Sequence, residues 1–167
     1  ADYMNQKKEI LEGDSRKFSQ AFFSSTLPGY VLEAVADNIT ILRSPTCFRT
    51  ENGDFFGWEG VENTVGCGAG TCTHVWNYAQ TVAFLFPELE QSMRRIEFLQ
   101  EIQADGYMPF RTYRPFGLPA WEMLPSADGQ LGAVVRLYRE WRLSGDNRLI
   151  EDCWDGVVRS MEYAIRT

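Results

Sequence analysis

The chain lacks several things that would narrow its class at once. No apolar run approaches the ~20 residues needed to cross a bilayer, so a membrane span is not expected. Basic residues are outnumbered, sixteen against twenty-three acidic, and the net charge of -7 repels a phosphate backbone, which argues against nucleic acid as a partner. The one adjacent arginine pair, in "MRRIEF", reads as a solvated helix face. Cys47, Cys67, Cys72 and Cys153 are too few and too irregularly spaced for a disulfide framework. There is no internal repeat. The start, "ADYMNQKKEI", has no charged-then-apolar leader, and the end, "WDGVVRSMEYAIRT", has helical spacing with no glycine or proline stop; both edges read as cuts from something larger.

What is present is a chain of 167 residues, 44% apolar and 14% aromatic, long enough for one domain with a core. Phe18, Ala21 and Phe22 in "RKFSQAFF" share a helical stripe over Arg16 to Phe23. After the "STLP" break, Pro28 opens a second helix with Val31, Ala34, Val35 and Leu42 on one face. "CFRTENGDFFGW" predicts a hairpin around Asn52-Gly53, with Glu59 just past its second strand. His74 to Phe86 is apolar almost all round, the pattern of a buried helix. Pro87 restarts a helix of ~25 Å with Leu89, Met93, Ile96, Leu99 and Ile102 on one side and Glu88 and Glu90 at its positive end. "DGYMPFRTYRPFGLP" reads as a hairpin or ordered loop. In the last third, Leu131, Val134, Val135, Tyr138 and Trp141 are one helical set. Ile150, Cys153, Trp154, Val157, Val158, Met161 and Ile165 are another. Between them "SGD" supplies a left-handed glycine and Asp146 as N-cap, which predicts an αα-hairpin.

The stretch "FFGWEGVENTVGCGAGTCTHVWNYAQ" concentrates the candidate chemistry. Glu59, beside Trp58 and held between glycines, has the setting of a glycosidase carboxylate with an aromatic platform; as a loop glutamate it also fits a surface charge or a cap. Cys67, Cys72 and His74 are three soft ligands in eight residues, yet the spacing departs from the usual zinc knuckle and no second paired element follows. "GCGAGT" lacks the lysine of a phosphate-binding loop. Asp128 and Gln130 stand at the start of an amphipathic helix, where an aspartate is commonly a cap. Phe110, Tyr113, Phe116 and Trp121 either pack on helices or line a sugar groove.

Taken together, "RSPTCFRTENGDFFGWEG", "GCGAGTCTHVWNYAQTVAFLFPELEQSMRRIEF" and "DGQLGAVVRLYREWRLSGDNRLIEDCWDGVVRSMEYA" resemble the catalytic region of the non-lysosomal glucosylceramidases, or bile-acid β-glucosidases, of glycoside hydrolase family 116. The resemblance implies a mainly α fold. This would be part of an (α/α)6 barrel of antiparallel helix hairpins with short β-hairpins in its loops. It also implies retaining cleavage of β-glucosides or β-xylosides by two carboxyl groups and no cofactor. Glu59 matches the family's nucleophile. His74 falls close to a sugar-binding aspartate, and Asp128 and Gln130 match polar positions before an inner helix; with Trp58 and Trp121 these are the implied substrate contacts. The family's acid/base aspartate lies in a motif downstream of Thr167. Twelve barrel helices need more chain than this, so the rest of the domain, or self-association, is expected to cover the exposed apolar faces.

Overall fold

In a computed structural model, residues 2–59, 68–119 and 124–167 are described, and they are mainly helical with two short antiparallel strand pairs. Among them no helix is long and apolar enough to cross a membrane. The chain divides into two compact units, Ala1–Asn38 and Ile39–Thr167.

The first unit holds α1 (Asp2–Phe23) and most of α2 (Gly29–Thr40). Helix α1 reaches back well before Arg16 because Gln, Lys and Glu, all good helix formers, fill its first half. Exposed pairs such as Lys8–Glu12 at 3.8 Å add little to it. No residue of α1 is buried, and Leu32 is the buried residue of α2.

The second unit opens with the expected hairpin, β1 (Cys47–Arg49) against β2 (Phe55–Gly57), in the register Cys47 to Gly57 and Phe48 to Phe56. Its loop is longer than a two-residue turn, with Gly53 at φ +93°. β3 (Thr71–Cys72) pairs with β4 (Arg111–Thr112), and a bridge from Trp58 to Thr71 joins the two pairs. The buried helix expected over His74 to Phe86 is two short helices, α3 (Thr73–Trp76) and α4 (Gln80–Leu85), and Val75, Tyr78 and Phe84 are exposed. The side-chain amide of Asn77 caps the break: its Nδ2 donates 2.7 Å to the Asp128 carbonyl, while Gln80 Nε2 donates 2.8 Å to the Asn77 carbonyl.

Pro87 starts α5 (Pro87–Arg95), which continues through a π-helical turn, Ile96–Glu101. Phe98 on that turn lies in a core with Ile102, Met108, Leu137, Leu149 and Cys153. Helices α6 (Ala127–Ser144) and α7 (Asn147–Arg166) form the predicted αα-hairpin, with Gly145 left-handed at φ +67° and Asp146 accepting from the Arg148 amide. The guanidinium and amide of Arg148 draw the Asp146 carboxyl down to about 2 from 3.8. A depressed carboxyl stabilises above its unfolded value and loses that contribution as pH falls through the folded one. Amide protection at Arg148 and the first turn of α7 should therefore fade between pH 3.8 and about 2, an effect that Asp146→Asn abolishes and NMR hydrogen exchange reads.

The faces of these helices differ from the expected ones. Helix α6 buries Ala133, Arg136, Leu137 and Glu140 and leaves Leu131, Val135 and Tyr138 exposed; α7 leaves out Trp154, Val158, Met161 and Ile165. Likewise Leu99 is half exposed, and "MRRIEF" is no solvated face, since Arg94 is fully buried. Charge pairing decides this. Arg94 Nη2 donates 2.6 Å to Glu97, Arg136 Nε 2.8 Å to Glu90, and Arg139 reaches Glu90 at 3.0 Å and Glu140 at 3.3 Å. A helix apolar on more than one side turns inward the side whose charges find partners, because a buried unpaired ion costs several kcal/mol, about as much as a large side chain gains by burial.

Candidate active site

Glu59 follows β2 directly, so its position is set by what holds that strand. The Phe55 amide donates 2.8 Å to Ser92 Oγ on α5, and the Gly57 amide donates 3.1 Å to Thr71 Oγ1 on β3. The Gly57 carbonyl accepts from Trp76 Nε1 at 2.9 Å. Gly57 is required here: a Cβ would sit 1.9 Å from the Trp76 ring. The strand end is thus pinned on three sides before any site side chain is placed.

Glu59 Oε2 accepts from Arg111 Nη2 at 2.6 Å, with the two side chains 23% and 10% exposed. The carboxylate is therefore partly buried and paired with a guanidinium that projects from β4. Arg111 in turn lies beside Phe110, 5.8 Å from the ring centroid, and Phe110 stacks on His74 at 6.4 Å. The His74 ring pairs through Nδ1 with Asp128 Oδ2 and meets Tyr78 edge-on at 5.4 Å. Residues scattered over the sequence thus form one continuous chain: Glu59, Arg111, Phe110, His74, Asp128.

Asp128 is not the cap of α6. Ser126 is, its Oγ accepting from the Gly129 amide at 3.2 Å and donating to Asp128. Hydrogen bonds from the Ser126 hydroxyl and then from His74 hold the Asp128 carboxyl below the usual carboxylate range. It borders an open hollow of about 350 Å³ whose wall includes Tyr78, Asn77, Val135 and Arg136. Glu59 does not line that hollow.

The other sequence candidates have different positions. Gln130 is buried and its amide is committed, accepting from the Met108 amide at 3.1 Å and donating to the Gly106 and Ser160 carbonyls at 3.0 Å each. It ties α6 to α7 and to the loop before β4, which leaves it a supporting part and corrects the sugar-contact role implied for it. Trp58 packs with Phe48 and Phe116 at 5.7 and 5.9 Å, and its Nε1 is buried without a partner among the described residues. Phe116 packs on Phe56 at 4.6 Å with its outer side exposed, and Tyr113 is buried. Trp121 and Cys67 lie outside the described residues. Of the other two metal candidates, Cys72 caps α3, its Sγ accepting from the Val75 amide at 3.4 Å, with burial raising its thiol, and His74 is engaged with Asp128. Among the described residues no group of three or more His, Cys, Asp or Glu is arranged around a common metal position.

Sequence reasoning missed Arg111. The cue was "FRT", a lone cation alternating with apolar and hydroxyl side chains in an aromatic stretch, which is a short strand presenting one charge to one face. A scan against protein-family models finds no match to the chain, and a search of curated proteins finds none either.

Proposed function

We propose that the chain is part of the catalytic region of a retaining β-glycosidase of (α/α)6-barrel type, acting on β-glucosides such as glucosylceramide-like lipids or on β-xylosides. The observation that carries the reading is the placement of Glu59: a partly buried carboxylate at the end of an aromatic hairpin, connected through Arg111, Phe110 and His74 to Asp128, which borders a hollow. Arg111 holds Oε2, and among the described residues no hydrogen bond occupies Oε1. In the proposed reaction Oε1 attacks the anomeric carbon as the bond to the aglycone oxygen breaks, and that oxygen takes a proton from a carboxyl group outside these residues. Water, deprotonated by the same group, then displaces Glu59 and restores it. Retention requires the two carboxyl groups ~5 to 5.5 Å apart. Asp128 and His74 would hold sugar hydroxyls, and Tyr78 would offer a ring face.

A second reading has its own support. The Glu59–Arg111 pair is complete without substrate, and the exposed apolar stripes of α6 and α7 suit a helical binding module with no chemistry. One experiment separates them. Incubating the full chain with a dinitrophenyl 2-deoxy-2-fluoro-β-glucoside, whose leaving group needs no proton donor, should attach one fluoroglucosyl group to the peptide containing Glu59. Label on another peptide refutes the assignment. No label, with glucosides raising only the melting temperature, favours the binding module.

A further inference from the structure

We propose that Arg111 is the positioning residue of Glu59 and that the glycine-rich segment from Gly68 to Gly70 exists to seat it. The proposal rests on the glycosidase reading and extends it to a part of the sequence that the reading leaves without a role. "GCGAGT" resembles a phosphate loop only in its glycines. In the structure Gly68 faces a guanidinium and Gly70 the root of the same side chain and the Tyr113 ring. Gly68 has φ +67°, and a Cβ there would lie 2.4 Å from Arg111 Cζ and 2.5 Å from Nη1. Gly70, at φ +90°, would place a Cβ 2.5 Å from the Tyr113 ring and 3.2 Å from Arg111 Cβ. Neither position tolerates a side chain, on grounds of both conformation and space.

The guanidinium that fills this seat has an assigned direction. Its Nη1 donates to the Gly68 carbonyl at 3.4 Å, its Nη2 to Glu59 Oε2 at 2.6 Å, and its Cζ lies over the Phe110 ring, 5.8 Å from the centroid. β3–β4 pairing fixes the root, since Arg111 stands opposite Cys72 in the register. A planar fork held at its root and along one edge, with a ring beside it, restricts the orientations open to Glu59. Because one carboxylate oxygen is taken by Arg111, the other is left to attack. The same Phe110 ring stacks on His74, so the attacking oxygen and the Asp128 end of the site share one support. An error of ~1 Å in the placement of a nucleophile costs about 100-fold in rate, and Arg111 is the group whose removal would allow such an error.

The test has two arms, both on the full chain. In the first, a double-mutant cycle of Arg111→Ala and Glu59→Ala is read by thermal melting. The proposal expects the two losses to be clearly non-additive, the double mutant melting close to the worse single one. In the second, the rate of labelling by the fluoroglucoside is compared for the parent, Arg111→Lys, Arg111→Ala and Gly68→Ala. Labelling should fall by about 100-fold in Arg111→Ala and less in Arg111→Lys, following the loss of the fork geometry. Millimolar guanidinium should restore part of the rate in Arg111→Ala and none in the parent, an effect that a purely structural role would not produce. Additive melting losses, or parental labelling rates in Arg111→Ala, overturn the proposal while leaving Glu59 as the nucleophile. Strong coupling with no labelling of the parent overturns the glycosidase reading and the positioning role together. If Arg111→Ala does not fold, the Arg111→Lys and Gly68→Ala rates decide: no decrease in either overturns it.

Discussion

Replacing Arg94 by Met should destabilise the unit from Ile39 to Thr167 by about 3 to 5 kcal/mol, at least a fifth of the roughly 5 to 15 kcal/mol typical of a domain. Arg94 is fully buried between two carboxylates, 2.6 Å from Glu97 and 3.7 Å from Glu90. Methionine fills much the same volume, so little of the loss comes from packing. What remains is a buried Glu97 whose nearest other cation, Arg136 Nη1, is 3.9 Å away. Burial is the main influence on Glu97 and pushes its carboxyl up. Burial also acts most strongly on Glu90, yet Arg94, Arg136 and Arg139 together leave its carboxyl lowered. The signs therefore oppose one another. A raised carboxyl contributes stability at low pH and loses it as pH rises through its folded value, whereas Glu90 contributes at neutral pH and loses its share in acid. In Arg94→Met the penalty should shrink as pH is lowered from neutrality and Glu97 takes up its proton. Urea unfolding over a pH series measures this, and Arg94→Met combined with Glu97→Gln should recover much of the loss. A penalty below about 1 kcal/mol, the value of an exposed pair, would mean that water reaches the cluster.

Glu59→Gln should lower turnover of an activated aryl β-glucoside on the order of 10⁴-fold or more, the usual scale for loss of a nucleophile. The fold should survive, because the amide oxygen of glutamine can still accept from Arg111 Nη2, so a loss of activity with a near-parental melting curve reports chemistry rather than collapse. The smaller Glu59→Gly opens the attacking position. With azide added, the anion should attack the anomeric carbon from the vacated face, expel the aglycone and give the α-glucosyl azide, a product of inverted configuration. Parental turnover in Glu59→Gln, or β-configured azide product, would remove Glu59 from the nucleophile's role.

How far the sequence could be read differed between elements. The α6–α7 hairpin and the β1–β2 hairpin were legible because their signals are local: Gly145 takes a left-handed φ, Asp146 caps the next helix, and Asn52-Gly53 turns the chain. The break at Asn77 was not. Helical periodicity continues through "THVWNYAQTVAFLF", yet the backbone leaves the helical region at Ala79, with ψ 71°, next to an Asn77 side chain bonded to a carbonyl on α6, fifty-one residues on. The burial of Arg94 was hidden for the same reason. Glu90, Arg94 and Glu97 recur at the spacing of one helix face, and a charged stripe of that kind looks alike in water and in a core until its partners, Arg136 and Arg139, are seen to come from another helix. At the site, Glu59, His74 and Asp128 could be named from residue type and resemblance, but Arg111, which connects the first to the others, could not.

By itself the sequence determined the mainly helical class, the two tight connections and the acidic surface, all of which follow from dihedral preference, periodicity and net charge within a few residues. Only the tertiary structure decided which face of α6 turns inward, that Gln130 supports rather than contacts, and that Glu59 is held by a guanidinium seated on glycines. Each of these depends on pairing a polar group with one distant in sequence. The cost of leaving such a group buried and unpaired overrides the local preference, and no window of neighbouring residues contains the partner.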